Sequence, residues 1–250
     1  MTVKALQIRY QTARSLPAPY AYFYTFSAKW LANKGVQVDI AMTYPGREDI
    51  DDDELIAEGY TRDDDFNWSG QFPQAWAQTL SALAAQTRLN PVRDDTLGED
   101  DDFWELTIDQ ISGPSRFGRP AEKGKGSTSD WQYLTQELIQ AIYEAQGRER
   151  PFELAFRDIR QQDQFDLTLT ASFVERSVQV ATTHNQRKQT KTLPWSELQR
   201  IMGIVYSYDY EADDTLTKAP RQDGQWLNLG TEEWYDVQPM RELGNLFKKL

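Results

Sequence analysis

Two runs of alternating apolar residues between Tyr20 and Tyr44 constrain the fold of this chain most strongly. The even positions of the first run are Tyr20, Tyr22, Tyr24, Phe26, Ala28 and Trp30, and those of the second are Val36, Val38, Ile40, Met42 and Tyr44. Successive side chains of a β-strand point to opposite faces, so each run forms one strongly apolar face. The connection Asn33-Lys34-Gly35 contains a glycine and is typical of a β-hairpin.

The aromatic residues of this hairpin have two interpretations. An exposed row of rings is a platform that stacks sugars or bases, whereas a covered row is the core under a layer of helices. Residues 72–88 and 130–146 carry apolar side chains at helical spacing, and such helices need a sheet to cover their apolar stripes. We therefore predict that the even-numbered face of the hairpin packs beneath one of these helices.

The remaining patterns predict an α+β fold with mainly antiparallel sheet. Two three-strand meanders are expected, packed by two long and two or three short helices. The first meander joins residues 3–12 to the hairpin, and the second comprises three alternating runs within residues 152–182. We predict a single domain over residues 1–250. Two similar halves, about 1–111 and 130–250, joined by a Gly/Pro-rich basic loop at 112–129, are the alternative organisation.

Residue usage excludes several kinds of chemistry. The chain has no cysteine, which excludes disulfides, thiolate zinc sites and cysteine nucleophiles. Its one histidine, His184, is the only imidazole available to a catalytic triad or a metal site. His184 follows a predicted strand among polar residues, and the chain has no G-x-S-x-G motif. We interpret it as a hydrogen-bonded loop residue.

The charge balance favours some partners over others. The formal net charge is −12, which disfavours nucleic acids and anionic membrane surfaces and suits a basic partner or a divalent cation. No apolar run approaches the ~20 residues of a membrane span, and the first ten residues lack the apolar region of a signal peptide. A cytoplasmic protein without a cofactor is the simplest expectation.

Acidic residues concentrate in three clusters. Ten acids lie between Glu48 and Asp65, where Arg47 and Arg62 are the only basic residues to offset them. The second cluster covers 94–102 and the third 209–214. A run of acids before an apolar pair is typical of a helix start, so we expect a short helix after Asp51. The predicted partner-binding acidic face comprises Asp51, Asp52, Asp53, Asp63, Asp64, Asp65, Asp100, Asp101 and Asp102.

Residues 63–70 have the oxygen-rich side chains of a calcium loop but do not follow the ligand spacing of an EF-hand. Whether any of the acidic clusters holds a metal stays open at this point. A loop that folds back onto the body through Phe66 and Trp68 is the simpler interpretation of these residues.

A Gly/Pro-rich segment, Ser112 to Ser129, is predicted to be a long irregular loop. Its basic side chains are a candidate anion-binding group, namely Arg116, Arg119, Lys123 and Lys125. The segment also resembles a phosphate-binding P-loop in part. However, five residues separate Gly118 from Gly124, and Gly126 stands where that motif requires Ser or Thr. We therefore reject a P-loop.

These observations favour a non-catalytic acidic interaction protein, such as a subunit, an adaptor or an inhibitor of the immunity type, that binds a basic protein partner. Two alternatives stay open. One is a carboxylate-based enzyme, with or without a divalent cation, and the other is an aromatic-lined binder of small molecules or carbohydrates. No catalytic residue is assigned, and neither the partner nor the oligomeric state follows from the sequence.

Overall fold

The structure is a computed structural model that describes residues 3–92, 97–161, 163–210 and 215–250. This part of the chain contains two antiparallel sheets and five α-helices, which confirms the predicted α+β class. Four of the helices are nine residues or longer, and the fifth has six. None of the helices in these ranges combines the length and apolarity needed to cross a membrane.

The helices and strands are numbered along the chain. They are β1 (Val3–Gln11), β2 (Phe23–Trp30), β3 (Val36–Thr43), α1 (Asp52–Ala57), β4 (Phe66–Phe72), α2 (Gln74–Gln86), β5 (Leu89–Asn90), β6 (Phe103–Gln110), β7 (Arg116–Pro120), α3 (Thr128–Ala145), β8 (Phe152–Arg160), β9 (Asp163–Ser172), β10 (Ser177–His184), β11 (Arg187–Leu193), α4 (Trp195–Val205), β12 (Gly224–Asn228), β13 (Trp234–Asp236) and α5 (Arg241–Lys249). A short 3₁₀ turn, Arg47–Asp49, precedes α1.

The chain divides into two compact units, Met1–Ile139 and Gln140–Leu250, and the division falls within α3. The first unit contains the seven-stranded sheet and the second contains the six-stranded sheet. The single domain, with its alternative of two similar halves, stays a prediction.

The hairpin of β2 and β3 forms the centre of the first unit, whose strand order is β4-β3-β2-β1-β6-β7-β5. Tyr24, Phe26 and Ala28 are buried, as are the even-numbered residues of β3. Helix α2 contacts β3 and β4, and Trp30 Nε1 donates a hydrogen bond to Ser81 Oγ of α2 at 3.0 Å. The prediction that a helix covers the even face is confirmed for β2 and β3, whereas Tyr20 lies before β2 and is 42% exposed. β2 begins at Phe23, because residues 18–20 form a turn.

Each meander has four consecutive strands and not the predicted three, and β4 is the fourth strand of the first meander. The oxygen-rich side chains of residues 63–70 favour a loop in the sequence. Phe66 and Phe72 are nevertheless buried on the same face of the sheet, and Trp68 pairs with Ile40 of β3. The alternation of Phe66, Trp68, Gly70 and Phe72 is therefore the stronger signal in this segment.

The six-stranded sheet of the second unit has the order β11-β10-β9-β8-β12-β13. Helices α4 and α5 contribute Leu198, Ile201 and Phe247 to its core. Phe247 is fully buried and stacks on Phe156 of β8 with 4.9 Å between ring centroids. The C-terminal helix thus packs on its own unit.

Strand β11 is one of three strands of this sheet that the sequence did not predict, together with β12 and β13. Residues 187–192 are exposed on both faces, since β11 lies at the edge of the sheet and pairs only with β10. The two strands are joined by Asn185 and Gln186, both with positive φ (47° and 68°). An edge strand without a buried face shows no apolar alternation, so its sequence is typical of a polar connection.

Asp158 of β8 joins β8, β12 and α5 through its carboxylate. The side chain is 5% exposed and accepts hydrogen bonds from Arg160 Nε at 3.1 Å and from Gln225 Nε2 at 2.9 Å. It also forms an ion pair with Lys248 of α5. Burial disfavours the carboxylate, but the hydrogen bonds from Arg160, Lys248 and Gln225 outweigh burial and lower the pKa of Asp158.

We expect the Asp158→Asn variant to be less stable than the wild type at pH 7, by about 1–3 kcal/mol. The folded-state pKa of Asp158 lies below the value of ~3.9 for an unfolded chain. Its stabilising contribution is therefore present above ~pH 4 and is lost as the pH falls through the folded-state pKa. Urea-unfolding midpoints of both proteins between pH 7 and pH 3 test this. A stability difference that does not narrow on acidification would contradict it.

Candidate functional site

The acidic run that begins at Asp51 starts helix α1, as predicted. The Asp51 carboxylate accepts a hydrogen bond from the Asp53 amide at 3.0 Å and caps the helix. Asp52 forms an ion pair with Arg62, whereas Asp53 is exposed and its side chain has no hydrogen-bond partner among the described residues. Gly59 follows the helix with a φ of 82°, a conformation that favours glycine.

The acids at 63–65 have different roles. Asp63 is exposed, whereas Asp64 accepts hydrogen bonds from Thr61 N at 2.9 Å and Thr61 Oγ1 at 2.7 Å. Asp65 accepts one from the Tyr44 amide at 2.9 Å. Burial alone would raise the pKa of Asp64, but the hydrogen bonds from Thr61 and Arg47 lower it. Two of these three carboxylates therefore hold the backbone in place.

Arg47 lies beneath this segment and is 2% exposed. Its guanidinium carbon lies 3.9 Å from the ring centroid of Tyr44 and 4.6 Å from that of Tyr60. The guanidinium donates to the carbonyl oxygen of Pro19 at 3.0 and 3.1 Å and to that of Thr61 at 3.1 Å, and it forms an ion pair with Asp64. These contacts join the 3₁₀ turn before α1 to the loop after it and to Pro19 and Tyr44, which lie just before β2 and just after β3.

The acids at 100–102 also bind backbone groups. Asp101 accepts a hydrogen bond from the Gly98 amide at 2.9 Å, and Asp102 accepts from the Ala13 amide at 2.9 Å. The Tyr10 hydroxyl donates to Asp102 at 3.0 Å, and burial together with this carboxylate raises the pKa of Tyr10. Asp100 is exposed. The neighbouring predicted acids Asp94 and Asp95 lie outside the described residues, as do Glu211, Asp213 and Asp214 of the third cluster.

The exposed acids between residues 48 and 63 form one surface, which we call the α1 acidic surface. It comprises Glu48, Asp49, Asp51, Asp52, Asp53, Glu54, Glu58 and Asp63. Arg62 is the exposed basic residue of this segment, and its guanidinium donates to Asp52 and to the carbonyl oxygens of Glu48 and Ile50. Arg62 thereby ties the turn before α1 to the loop after it. Of the predicted acidic face, Asp51, Asp52, Asp53 and Asp63 are exposed in this segment.

Two residues of this site have roles that the sequence pattern does not reveal. In the sequence, Arg47 looks like a surface residue that offsets the charge of the neighbouring acids, but in the structure its side chain is buried. Ile56 adjoins Leu55 as an apolar residue of the helix, but Ile56 is 65% exposed while Leu55 is buried. Adjacent helical residues point about 100° apart, and of this pair α1 buries Leu55 alone. No pattern in so short a helix indicates which of its two apolar residues faces solvent.

The predicted loop at 112–129 contains strand β7, so the prediction of an irregular loop throughout is wrong. Arg116 and Arg119 lie on β7, and Arg116 Nη2 donates to the Thr87 carbonyl oxygen at 2.6 Å. Gly118 pairs with Leu106 of β6 with a φ of 152°, and a Cβ there would lie 2.3 Å from the Asn90 carbonyl oxygen. Glycine at position 118 therefore permits β5 and β7 to approach each other closely. Lys123 and Lys125 are exposed beyond the strand.

The start of α3 is capped by its own carboxylate. Asp130 accepts hydrogen bonds from the amides of Gly126 at 2.8 Å and Ser127 at 3.2 Å, and Ser127 Oγ accepts from the Asp130 amide at 3.3 Å. Ser127 is therefore the capping residue of α3. In a P-loop the backbone amides before the helix bind a phosphate. Here the amides of Gly126 and Ser127 donate to the Asp130 carboxylate instead.

His184 ends β10 and its Nε2 lies 2.7 Å from Asp163 Oδ1, with both side chains more than half exposed. Across the described ranges, no three acidic or histidine side chains come close enough to hold a metal ion. Comparisons with known protein families, with characterised proteins and with solved structures found no match to this chain.

Proposed function

We propose that this chain is a non-catalytic interaction protein that binds a basic protein partner through the α1 acidic surface. The observation that carries the proposal is the charge of that surface. Within residues 48–63, eight exposed carboxylates accompany one exposed arginine. A patch of one sign attracts a partner of the opposite sign and accelerates its association.

The proposal narrows the acidic face expected from the sequence. Asp64, Asp65, Asp101 and Asp102 accept hydrogen bonds from backbone amides, so their charge is already used within the chain. The α1 acidic surface also contains engaged carboxylates, since Asp51 caps α1 and Asp52 pairs with Arg62, but it presents three acids to solvent that can meet lysine or arginine side chains. Asp49, Asp53 and Asp63 are exposed, and their side chains accept no hydrogen bond within the described ranges.

Ile56 supplies an apolar contact within the same surface. Ile56 lies three residues after Asp53 and four after Asp52. Residues at these spacings are neighbours on a helix surface, so the three side chains occupy one side of α1. An exposed apolar residue surrounded by charged ones has the composition of an interface centre with a polar rim. Arg47 holds the segment in one conformation, which lowers the ordering cost of binding.

We expect the triple variant Asp49→Lys, Asp53→Lys and Asp63→Lys to bind a basic partner at least ~10-fold more weakly than the wild type. The wild-type interaction should itself weaken about tenfold between 50 and 200 mM salt, since screening acts on exposed charges. The measurement is capture from the native lysate, identification of the captured proteins by mass spectrometry, and titration of the purified partner.

The matched control is the triple variant Glu122→Lys, Glu175→Lys and Glu232→Lys, which makes the same change in net charge at exposed positions elsewhere. It should bind like the wild type. Equal losses in the two variants, or a partner without a basic surface, would refute the proposal. Uptake of Mg²⁺, Mn²⁺ or Ca²⁺ at millimolar concentration in equilibrium dialysis would favour the competing carboxylate-based enzyme.

A further inference from the structure

The outer face of the seven-stranded sheet is opposite to the face that α2 covers. Its side chains form rows across the strands, and one row is fixed by the pairings of Phe23 with Gln11 and of Gln11 with Phe103. Phe23 is 42% exposed and Phe103 is partly exposed, whereas their neighbours Tyr24 and Trp104 are buried on the other face. Two phenylalanines therefore stand on the outer face with one glutamine between them.

These residues line a cleft of about 400 Å³, a volume within the usual range of ligand sites. Gln11 and Thr25 lie on the sheet, and Leu97, Gly98 and Asp101 come from the loop before β6. Phe23 and Phe103 are two strands apart, which places their Cα atoms roughly 10 Å from each other. A ring between them needs ~7 Å, since each stacking contact takes about 3.5 Å.

The charged residues of this cleft balance. Among the lining residues that the structure describes, Arg9 and Arg14 are opposed by Asp101 and Glu105, so their formal charges sum to zero in a chain that is strongly acidic. Arg9 donates to Glu105 at 3.2 Å and its guanidinium lies over the Phe103 ring at 5.6 Å. The cleft thus offers both hydrogen-bond donors and acceptors without a net field that would select a charged ligand.

We infer that this cleft binds a neutral sugar ring between Phe23 and Phe103. The C–H groups on the flat side of a pyranose pack on the electron-rich face of a phenyl ring. Sugar hydroxyls donate and accept, which matches the Gln11 amide, the Thr25 hydroxyl, the arginines and the carboxylates. Tyr24 and Phe26 of the even-numbered row are core, whereas this pair lies on the opposite face of the same sheet.

An array of immobilised neutral and acidic glycans tests the inference. The protein is displayed in many copies on fluorescent beads, because multivalent display makes weak single-site binding measurable. We expect the wild type to bind neutral glycans, and we expect Phe23→Ala, Phe103→Ala and Gln11→Ala each to bind about tenfold more weakly. Circular dichroism checks that each variant is folded. If an aromatic variant is misfolded, Gln11→Ala still tests the inference.

The matched control is Phe117→Ala, which removes a 70% exposed phenylalanine from the same face of the sheet outside the cleft. It should bind glycans like the wild type, and so should the Asp49, Asp53 and Asp63 triple variant, which separates this inference from the proposed function. The inference is overturned if no glycan binds. It is also overturned if Phe117→Ala abolishes binding, or if only charged glycans bind and Arg14→Ala abolishes that binding.

Discussion

Replacing Arg47 with alanine is expected to lower the free energy of unfolding by about 3–5 kcal/mol. The guanidinium is buried between the rings of Tyr44 and Tyr60, so its removal leaves a cavity. It also leaves the Asp64 carboxylate without its cation and the carbonyl oxygens of Pro19 and Thr61 without a donor. Urea unfolding followed by tryptophan fluorescence measures the change.

Arg9→Ala is the matched control for this prediction. Arg9 also forms an ion pair and lies over an aromatic ring, but its side chain is 56% exposed. Its loss should change the unfolding free energy by no more than ~1 kcal/mol. Arg47→Lys should recover little stability, because an ammonium group lacks the flat, forked donor geometry that these contacts use. Equal effects of Arg47→Ala and Arg9→Ala would show that the buried contacts of Arg47 contribute no more than a surface pair.

Replacing Phe247 with alanine is expected to cost about 3–5 kcal/mol of unfolding free energy. Phe247 is fully buried and stacks on Phe156, and it holds α5 against the six-stranded sheet together with Leu243 and Leu246. Its truncation removes the largest apolar side chain that α5 buries against that sheet. Differential scanning calorimetry and urea unfolding should both report the loss.

Phe117→Ala serves as the control, because this phenylalanine is exposed and its loss should stay within about 0.5 kcal/mol. The two variants compare the same chemical change at a buried and an exposed position. The apolar spacing of the C-terminal segment alone is compatible with packing on its own body or on another chain. Equal losses of stability in Phe247→Ala and Phe117→Ala would contradict the packing of α5 on its own unit.

The hairpin and the long helices were predictable because each has one buried face and one exposed face. Apolar residues then repeat every two positions in a strand and about every 3.6 positions in a helix, as Tyr24, Phe26 and Ala28 do in β2. Strand β11 was not predictable in this way because both of its faces are exposed, so burial leaves no period in its sequence. Strand β4 differs, since its alternation of Phe66 and Trp68 is present but adjoins an oxygen-rich flank that is typical of a loop.

The roles of the acidic residues depend on contacts that composition does not report. Asp63, Asp64 and Asp65 are adjacent in sequence and chemically identical, yet Asp64 is partly buried while Asp63 and Asp65 are exposed, and Asp64 and Asp65 bind backbone amides. Which aspartate turns inward is decided by the position of Thr61, Tyr44 and Arg47 in the folded chain. The helix start at Asp51 was predictable because a capping interaction spans only two residues.

Strand β11 also has a consequence for solubility. It leaves a row of unpaired backbone groups along one edge of the six-stranded sheet, the kind of edge on which aggregates grow by strand addition. Arg187, Lys188 and Lys191 lie along this edge, so two copies that approached edge to edge would bring like charges together. These like charges oppose pairing of one β11 edge with another even near the pH at which the net charge of the whole chain vanishes.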